Sequence, residues 1–441
     1  MMARRHVIVG GGTAGLNAIL TIREQDRGES EVVLVSAERP YSRMVLPYYL
    51  GRGIAESHVF TATPARLAQL RVHAHIGPRA AGLDTTANKL TLDDGTVLPY
   101  DDLLIATGSS AVRAPVPGAD GSGVHSFWTL EQARGVLAGI REGSQVVMVG
   151  AGFIAFTILN AILALKAKLT ILEVAPRILP RMVDETAAGM VEMWLRHHGV
   201  EVKTGVTLTT IENAQDRKRL RFQGGEDLIA DLVIMATGIR TNLEWLNGSG
   251  VRVNRGIVVD DHLRSNVQNV YAAGDVAEGR DLVTGDQAVH AIEPTAMEHG
   301  RVAGANMAGR DVAYRGSLLM NIVEVCHLDM ASFGAWDDST AEAVAAVKPE
   351  RSAYRKLLWR GDRLTGAMIL GRANDIWTTN DVGMLKGLVQ SGSGLGPWKA
   401  SLCRNPFNIK PAFIASGSTG RLLPETILGR PSVPAGQVAV E

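Results

Sequence analysis

The sequence predicts an α/β protein with two Rossmann-like units, followed by a C-terminal α+β region. The first observation is a construction that occurs twice: an apolar run, a glycine-rich turn, a helix-like stretch and a second apolar run. The two turns are Gly10-Gly11-Gly12-Thr13-Ala14-Gly15 and Gly150-Ala151-Gly152-Phe153-Ile154-Ala155. The second observation is the acid that ends each copy, Glu38 and Glu173, roughly 20–25 residues past its turn. One such fingerprint is weak evidence, but two in the same arrangement predict two dinucleotide-binding domains.

Each position of the glycine fingerprint has a physical role. The first Gly allows the tight turn, the second lets the backbone approach a pyrophosphate at the helix N-terminus, and the third keeps the helix close to the strand. The carboxylate binds a ribose hydroxyl. The candidate ligands are Gly10, Gly12, Thr13, Ala14, Gly15 and Glu38 for one dinucleotide, and Gly150, Gly152, Phe153, Ile154 and Glu173 for the other.

Composition excludes several other classes of protein. The 45 basic and 45 acidic residues leave no net charge, so we expect neither nucleic acid nor an anionic membrane as a partner. No stretch reaches the ~20 apolar residues that a membrane span needs. Cys326 and Cys403 lie far apart and predict neither a disulfide framework nor a metal site, which fits a cytoplasmic protein. The basic start of the chain resembles a signal peptide, but Gly10-Gly11-Gly12 interrupts the apolar run behind it, so we expect no export.

Hydrophobic periodicity and turn residues predict the remaining elements in order. The first unit has strands over 7–10, 31–35 and 103–106, helices over 14–23 and 64–69, and a hairpin whose turn is 93–96. Two prolines and three glycines over 115–123 predict a linker. The second unit runs from 145 to 239, and a helix over 293–307 follows it. From residue 317 the pattern becomes alternating strands and a helix, including strands over 353–359 and 364–370.

Further motifs give the chain a family resemblance. They are Leu104-Ile105-Ala106-Thr107-Gly108, Ile234-Met235-Ala236-Thr237-Gly238 and Val270-Tyr271-Ala272-Ala273-Gly274-Asp275. With the two fingerprints, their order resembles the two-dinucleotide flavoprotein reductases of glutathione-reductase type, the pyridine nucleotide–disulfide oxidoreductase superfamily. The segment Pro40-Tyr41-Ser42-Arg43-Met44-Val45-Leu46 is similar to rubredoxin reductases and to the flavoprotein part of assimilatory nitrite reductases.

The resemblance implies cofactors and a division into domains. FAD would bind the first fingerprint together with Ala106, Thr107, Gly108, Gly274 and Asp275, the last at the ribityl chain. A nicotinamide nucleotide would bind the second fingerprint and Gly238. The domains would be an FAD domain (1–114 and 242–316), an NAD(P) domain (115–241) and a C-terminal interface domain (317–430) that forms a homodimer. Residues 431–441 would form a flexible tail.

The absence of a redox cysteine indicates the subclass. Some relatives place one cysteine two residues before a Leu-Pro-Tyr segment, and here that position is Met44, before Leu46-Pro47-Tyr48. A thioether forms neither a thiolate nor a mixed disulfide. Cys326 lies in a strand-like pattern and is interpreted as a small core residue, with a structural role for its neighbour His327.

Two residues are candidates for direct roles at the reacting rings. Arg43 would stabilise anionic reduced flavin, although a loop arginine on the surface is the alternative. Thr157 replaces an acid that relatives carry close to the nicotinamide. The helix around it is unusually apolar, either because another domain or subunit covers it or because the nicotinamide site is altered or lost. We favour covering by another domain or subunit, because Glu173 and the second Ala-Thr-Gly motif remain. Glu173 favours NADH, because its carboxylate would repel the 2′-phosphate of NADPH. Arg177 would partly offset that charge, so NADPH is kept as the less favoured donor.

The sequence does not identify the electron acceptor. The basic and aromatic segment 397–411 either docks an acidic redox partner, shapes the far face of the flavin, or packs as an interface loop. We therefore predict an FAD-dependent NAD(P)H oxidoreductase with an iron–sulfur, rubredoxin-like or small-molecule acceptor. One alternative is a flavoprotein subunit of a multicomponent dehydrogenase with an iron–sulfur partner and no productive nicotinamide site. The other is an FAD-binding regulatory protein with negligible turnover.

Overall fold

A computed structural model describes residues 3–418 of the chain. Up to residue 111, strands alternate with three helices. In order these are β1 (Arg5–Val9), α1 (Thr13–Asp26), β2 (Glu31–Ser36), α2 (Leu46–Leu50), α3 (Pro64–Gln69), β3 (Val72–Ile76), β4 (Ala80–Asp84), β5 (Lys89–Leu92), β6 (Val97–Pro99), β7 (Asp102–Ile105) and β8 (Ser109–Ala111).

The middle of the chain repeats this alternation. Its elements are β9 (Val124–Ser126), α4 (Leu130–Gly139), β10 (Gln145–Val149), α5 (Phe153–Ala164), β11 (Lys168–Leu172), α6 (Glu185–His197), β12 (Glu201–Lys203), β13 (Leu208–Ala214), β14 (Arg217–Phe222), β15 (Leu228–Ala230), β16 (Leu232–Met235), β17 (Ile239–Thr241), β18 (Ile257–Val258), β19 (Val270–Ala272), β20 (Ala277–Arg280), β21 (Gln287–Ala288) and α7 (Glu293–Met307).

The last part of the chain is a meander of strands followed by helices. It comprises β22 (Met320–Val325), β23 (Leu328–Gly334), β24 (Glu342–Lys348), β25 (Ala353–Arg360), β26 (Arg363–Arg372), α8 (Ile376–Ser391), α9 (Pro397–Arg404) and α10 (Ile409–Ala415). The predicted strands over 353–359 and 364–370 are confirmed, but three helices stand where the sequence predicted one. The predicted tail, 431–441, lies outside the described residues.

Two parallel five-stranded sheets carry the fingerprints. Their orders are β19-β7-β1-β2-β3 and β12-β11-β10-β16-β9. In each sheet the strand before the glycine turn lies in the centre and is buried, as in doubly wound folds. The turns therefore open at the carboxyl edge of each sheet, beside a point where the strand order reverses, which is where such folds bind ligands.

Glycines allow α7 to pack closely on α1 in the first unit. A Cβ at Gly300 would lie 2.2 Å from the carbonyl oxygen of Ala14, and a Cβ at Gly304 would lie 2.6 Å from that of Ala18. Such distances exclude any side chain at these two positions. The close contact brings the N-terminus of α7 to the edge of the sheet at which the first fingerprint lies.

The two connections between the parallel sheets run side by side. β8 leaves the first unit and β17 returns to it, and they pair antiparallel with Ala111 opposite Ile239 and Ser109 opposite Thr241. Thr237 adds a hydrogen bond from its hydroxyl to the carbonyl oxygen of Val112, at 2.5 Å. The second sheet is thus attached to the first unit through a short two-stranded ribbon.

The C-terminal sheet has the antiparallel order β22-β23-β26-β25-β24. One face packs on α8, α9 and α10, while the other joins the core around α5 and α6. The Asn160 amide donates to the carbonyl oxygen of Glu324 at 3.0 Å, and the Tyr354 hydroxyl donates to the carboxylate of Asp184 at 2.7 Å. This contact confirms that another part of the chain covers the apolar helix α5, whose Phe156 and Ile162 are fully buried.

The strand predicted through Cys326 and His327 is wrong for these two residues. Both have positive φ, 48° and 65°, and they form the tight turn between β22 and β23. A type I′ hairpin turn requires this left-handed conformation at both central residues and usually has Asn or Gly there, so Cys-His at these positions did not indicate a turn. Within residues 3–418, no helix has the length and apolar content needed to cross a membrane.

Candidate functional site

One large cavity joins the two glycine fingerprints. It has a volume of about 2020 Å³, and both parallel sheets and the start of the C-terminal sheet contribute to its walls. All predicted site residues except Gly15 line it. They are Gly10, Gly12, Thr13, Ala14, Glu38, Arg43, Ala106, Thr107, Gly108, Gly150, Gly152, Phe153, Ile154, Thr157, Glu173, Gly238, Gly274 and Asp275.

The first fingerprint turn has the shape that a pyrophosphate requires. Gly10 has φ +117°, and a Cβ there would lie 2.0 Å from the carbonyl oxygen of Ala106. A Cβ at Gly15 would lie 1.9 Å from the carbonyl oxygen of Gly10, so α1 starts directly against the strand. At Gly12, the N-cap of α1, a Cβ would meet nothing within 4 Å. The space in front of Gly12 is therefore open, at a helix end whose free N–H groups bind anions.

Glu38 follows β2 and is held beside the turn. Its carboxylate accepts a hydrogen bond from the Tyr41 hydroxyl at 2.9 Å, and that hydroxyl accepts from the N–H of Leu130, also at 2.9 Å. Ser36 accepts from the N–H of Gly11 and donates to the carbonyl oxygen of Glu38. One carboxylate oxygen of Glu38 thereby keeps its position, and the other has no partner within residues 3–418.

Arg43 lies against an aromatic wall of the cavity. Its guanidinium donates to the carbonyl oxygen of Trp128 and lies 5.4 Å from the centroid of the Trp128 ring. The Trp128 indole donates to the carbonyl oxygen of Ser109 at 2.6 Å, which fixes the ring. The charge of Arg43 reaches the neighbouring carboxyl of Asp275, where it favours the ionised form.

Asp275 lies at the inner end of the cavity. Burial raises the pKa of its carboxyl, and the Ser109 hydroxyl, which donates to it at 2.6 Å, acts in the opposite direction. Gly274 has φ +77°, and a Cβ there would lie 3.2 Å from that of Ala14, so the turn fits closely against α1. Thr107 and Asn242 exchange hydrogen bonds of 3.1 and 2.8 Å beneath the Ala-Thr-Gly motif.

A buried histidine supports this turn from behind. The N–H of Gly274 donates to Nδ1 of His299 at 3.4 Å, and Nε2 of His299 lies 3.3 Å from the hydroxyl of Ser317. Burial lowers the pKa of His299 to about 3. The imidazole is therefore neutral at physiological pH, as an acceptor of an N–H group must be.

Glu293, the first residue of α7, lines the cavity but was not predicted as a site residue. Its carboxylate accepts from the hydroxyl of Thr13 at 3.0 Å and from the hydroxyl of Ser42 at 2.8 Å. It therefore joins the first fingerprint, the segment that carries Arg43 and the N-terminus of α7. These partners lie more than 250 residues away in sequence, so no local motif marked the position. Trp128 was missed for the same reason.

The second fingerprint repeats the geometry of the first. Gly150 has φ +100°, and a Cβ there would lie 2.5 Å from the carbonyl oxygen of Ala236. Gly152 is the N-cap of α5, and a Cβ there would meet nothing within 4 Å. Ala155 is fully buried, so its extra methyl group fits between helix and strand. Gly238 has φ +117° and lines the same cavity, just after the strand β16 that pairs with β10.

Glu173 braces the second turn from within the cavity wall. Its carboxylate accepts from the N–H groups of Ala151 at 2.7 Å and Ala175 at 2.9 Å, and the residue is 9% exposed. Arg177, predicted to offset this charge, instead donates to the carbonyl oxygens of Pro180 and Val183.

Thr157 lines the cavity, but its hydroxyl is already used. It donates to the carbonyl oxygen of Ile154 at 2.7 Å, within the first turn of α5. The single hydroxyl proton of Thr157 is therefore not free to be donated to a bound nucleotide.

Neither cysteine takes part in the site. Met44 lines the cavity at the position where some relatives carry a cysteine, and it is 50% exposed. Cys326 is buried, and this raises the pKa of its thiol to about 11, so the reactive thiolate is disfavoured. Cys403 lies in α9, outside the cavity.

The segment 397–411 lies away from the cavity. None of its residues lines it, so the prediction that this segment shapes the far face of the flavin is wrong. The segment forms α9 and the start of α10, and Lys399 donates to Glu342 at 2.5 Å and to the carbonyl oxygen of Gly361 at 2.8 Å. The interpretation as a packed segment of the C-terminal domain fits these contacts.

The chain is similar to known proteins over most of its length. The family model of the pyridine nucleotide-disulphide oxidoreductases matches residues 4–300. The chain is 32% identical over 412 residues to the NADH-dependent phenylglyoxylate dehydrogenase subunit epsilon of Aromatoleum evansii, covering 92% of this chain and 96% of the relative. It is 28% identical to the rubredoxin-NAD(+) reductase of Pseudomonas putida, covering 69% of this chain and 80% of that protein.

A solved structure shows the same architecture. The NAD-dependent persulfide reductase from A. fulgidus superimposes with a TM-score of 0.83 at 26% sequence identity, covering 94% of this chain and 83% of that one. The predicted fold class and the resemblance to rubredoxin reductases are confirmed.

Proposed function

Because this chain belongs to the pyridine nucleotide-disulphide oxidoreductase family, we propose that it is an FAD-dependent oxidoreductase that takes electrons from NADH and passes them on without a redox-active cysteine. The observation that carries the proposal is the single cavity that joins both glycine fingerprints. Hydride transfer requires the reacting atoms to approach to about 3–3.5 Å. Two dinucleotides on these turns would share the space in which that approach is made.

The residues around the first fingerprint fit FAD. The open backbone at Gly12 would hold the pyrophosphate, the free oxygen of Glu38 a ribose hydroxyl, and Asp275 the ribityl chain. FAD supplies the hydride and single-electron chemistry when it is bound. Arg43 holds a positive charge in the same cavity, where it would stabilise the negative charge that develops on reduction.

The second fingerprint fits NADH better than NADPH. Glu173 accepts hydrogen bonds from two backbone N–H groups, which hold its carboxylate at the cavity wall, and the carboxylate charge repels a 2′-phosphate. Arg177 donates to loop carbonyl oxygens and does not line the cavity, so it is not placed to bind that phosphate. Arg181 is exposed at the same wall and is the cation that an NADPH phosphate would have to use.

Electrons leave the flavin directly in this proposal. With Met44 in the cavity and Cys326 and Cys403 outside it, no thiol is placed to relay them. An iron–sulfur or rubredoxin-like protein is the acceptor that we propose, because the relative from Pseudomonas putida is named for reduction of rubredoxin. Both cysteines are free thiols, which supports the proposed cytoplasmic location.

A second candidate function has its own support. The relative that matches over 96% of its length is named as the epsilon subunit of an NADH-dependent dehydrogenase. The chain is then the NADH-linked flavoprotein subunit of a multicomponent enzyme, and the other subunits supply or accept the electrons. Copurification of iron–sulfur subunits with the native protein would distinguish this assembly from a reductase that acts alone.

An anaerobic absorbance titration with NADH, then with NADPH, tests the proposal. Bleaching of the flavin band near one equivalent of NADH, with a weaker response to NADPH, is the expected result. A flavin that dithionite bleaches but neither nucleotide reduces would refute the NADH site and favour a subunit fed by another donor, or a regulatory protein. Purification without flavin, even after FAD is added, would refute the assignment of the first fingerprint.

A further inference from the structure

Two polar side chains stand among apolar ones on the face of the C-terminal sheet that packs on α5. Leu319 and Val323 pack on the core around α5, and Asn321 lies between them on β22. Because alternate side chains of a strand point to the same face, Asn321 points to that core as well. Ser332 is its direct partner on β23, and Met330, two residues earlier, belongs to the same core. Asn321 and Ser332 are therefore neighbours on this face.

Neither side chain of this pair has a hydrogen-bond partner within residues 3–418. Ser332 is fully buried, and its hydroxyl is unbonded. Asn321 is half-buried and lines the cavity, and its amide forms no side-chain hydrogen bond in the same part of the chain. A buried polar group without a partner costs free energy, and it usually marks the place of a water molecule or a ligand. The pair therefore indicates a ligand that reaches Asn321 from the cavity.

The neighbouring wall of the cavity is the beginning of α5. Thr157 lines the cavity near the start of α5, and Asn321 lines it near the start of β22. Further along both elements, outside the cavity, the Asn160 amide donates to the carbonyl oxygen of Glu324 at 3.0 Å. Asn321 therefore lies beside the helix that begins at the second fingerprint. Since the hydroxyl proton of Thr157 is used within α5, an amide on β22 is well placed to supply the polar contact here.

We propose that Asn321 binds the carboxamide group of the nicotinamide ring, and that Ser332 orients the Asn321 amide for this contact. The inference rests on the proposed NADH function and adds the residue that recognises the reactive end of the nucleotide. A carboxamide offers an NH₂ group and a carbonyl oxygen, and the amide of Asn321 presents the complementary acceptor and donor. Directly opposed residues of an antiparallel pair have Cα atoms about 4.5–5.5 Å apart, so the rest of the amide is within reach of the Ser332 hydroxyl.

Two hydrogen bonds to the carboxamide would fix the orientation of the ring as well as its position. Hydride transfer depends on such orientation, because the donor carbon has to face the flavin at close range. The pyrimidine edge of a flavin also carries carbonyl oxygens and an N–H group, so its chemistry could satisfy the same amide. The position of Asn321 beside α5, the helix of the second fingerprint, favours the nicotinamide nucleotide.

Binding of NAD+ and of 3-acetylpyridine adenine dinucleotide to the oxidised, FAD-loaded protein tests the inference without turnover. The analogue has a methyl group where NAD+ has the amide nitrogen, so it leaves the acceptor of Asn321 unpaired. Calorimetric titration of the unmodified protein should show NAD+ bound about tenfold more tightly than the analogue. Asn321→Leu should raise the Kd for NAD+ at least about tenfold and reduce the preference for NAD+ to less than about threefold. Ser332→Ala should reduce the same preference without lowering the stability, because its hydroxyl is unbonded.

Asn160→Leu is the matched control, because it removes an asparagine from the same contact of α5 with β22 but outside the cavity. It should lower the stability and leave the preference for NAD+ unchanged. The Kd of the Asn321→Leu apoprotein for FAD should stay within about twofold of the unmodified value. An unchanged preference in Asn321→Leu would overturn this inference alone. A loss of FAD affinity with the preference intact would assign the amide to the flavin and overturn it as well. An unmodified protein that binds neither dinucleotide would refute the proposed function itself.

Discussion

Replacing Gly12 by alanine separates the binding of FAD from the stability of the fold. Gly12 has φ −75° and ψ −169°, which any residue adopts, and its added Cβ would contact no protein atom within 4 Å. Ala is a poorer N-cap than Gly, but it also restricts the unfolded chain, so the unfolding free energy of the apoprotein should fall by less than about 1 kcal/mol. The methyl group would nevertheless occupy the space in which we place the pyrophosphate.

The expected loss of affinity follows from the contacts that the methyl group displaces. A hydrogen bond between a charged phosphate and a backbone N–H contributes about 1.5–3 kcal/mol. Losing one should weaken the binding of FAD by about 10- to 150-fold. Fluorescence titration of the apoprotein with FAD measures the Kd, and urea unfolding without FAD measures the stability.

Gly10→Ala is the matched control for this experiment. Its Cβ would lie 2.0 Å from the carbonyl oxygen of Ala106, at a φ of +117°. It should therefore lower both the affinity and the stability of the apoprotein, by more than about 2 kcal/mol in the latter. An unchanged Kd for FAD in Gly12→Ala would refute the placement of the pyrophosphate at the N-terminus of α1. A large loss of apoprotein stability would refute the description of the space as open.

Three further predictions concern other parts of the cavity. Thr157→Val should change the rate of flavin reduction by NADH less than about threefold in stopped flow, because the Thr157 hydroxyl is bound to the carbonyl oxygen of Ile154. A hundredfold lower rate would instead show that this hydroxyl has a catalytic role. Glu173→Gln leaves one of two buried N–H groups without its acceptor, which costs about 1–3 kcal/mol. The Kd for NADH should therefore rise about tenfold, and the preference for NADH over NADPH should become smaller. The exposed Glu201→Gln is the control, and an unchanged preference for NADH in Glu173→Gln would contradict the role of Glu173. Burial lowers the pKa of His299 from 6.5 to about 3, so between these pH values the unfolded chain binds a proton that the native state lacks. The free energy of unfolding should therefore fall by about 1.4 kcal/mol per pH unit as the pH is lowered. Urea unfolding at pH 7 and pH 5 should show a smaller loss of stability in His299→Gln than in the unmodified protein, and equal losses would refute the linkage to His299.

The features that could be predicted from the sequence are those that depend on residues close together in the chain. The strands and turns at Gly10 and Gly150 follow from a steric rule that acts within a few residues, and both turns have the predicted geometry. The covered helix α5 was also predictable, since a helix that is apolar on all sides must be buried. Only one of the three C-terminal helices was predicted, because Gly392, Gly394, Gly396 and Pro406 interrupt the pattern between residues 376 and 415.

Contacts between distant segments could not be predicted in this way. Glu293 reaches Thr13 and Ser42 only because glycines let α7 approach α1. Glu173 was predicted as a ribose ligand from its spacing, and nothing in that spacing indicated that it also accepts two backbone N–H groups. The turn at Cys326 takes a left-handed conformation that its residue type rarely adopts. The N–H of Cys326 donates to the side-chain oxygen of Asn160, the Trp194 indole donates to the carbonyl oxygen of Cys326, and these two bonds hold the turn.

The paired strands β8 and β17 have a consequence for how such a chain could be built and rebuilt. Ala111 and Ile239 are direct partners, so everything between them, including the whole second parallel sheet, leaves and returns at one place. A turn of two residues spans that gap in an ordinary hairpin. The second unit thus has the topology of a domain inserted into a surface loop of the first. Replacing it with a domain of different specificity would leave the strand order and connections of the first unit unchanged.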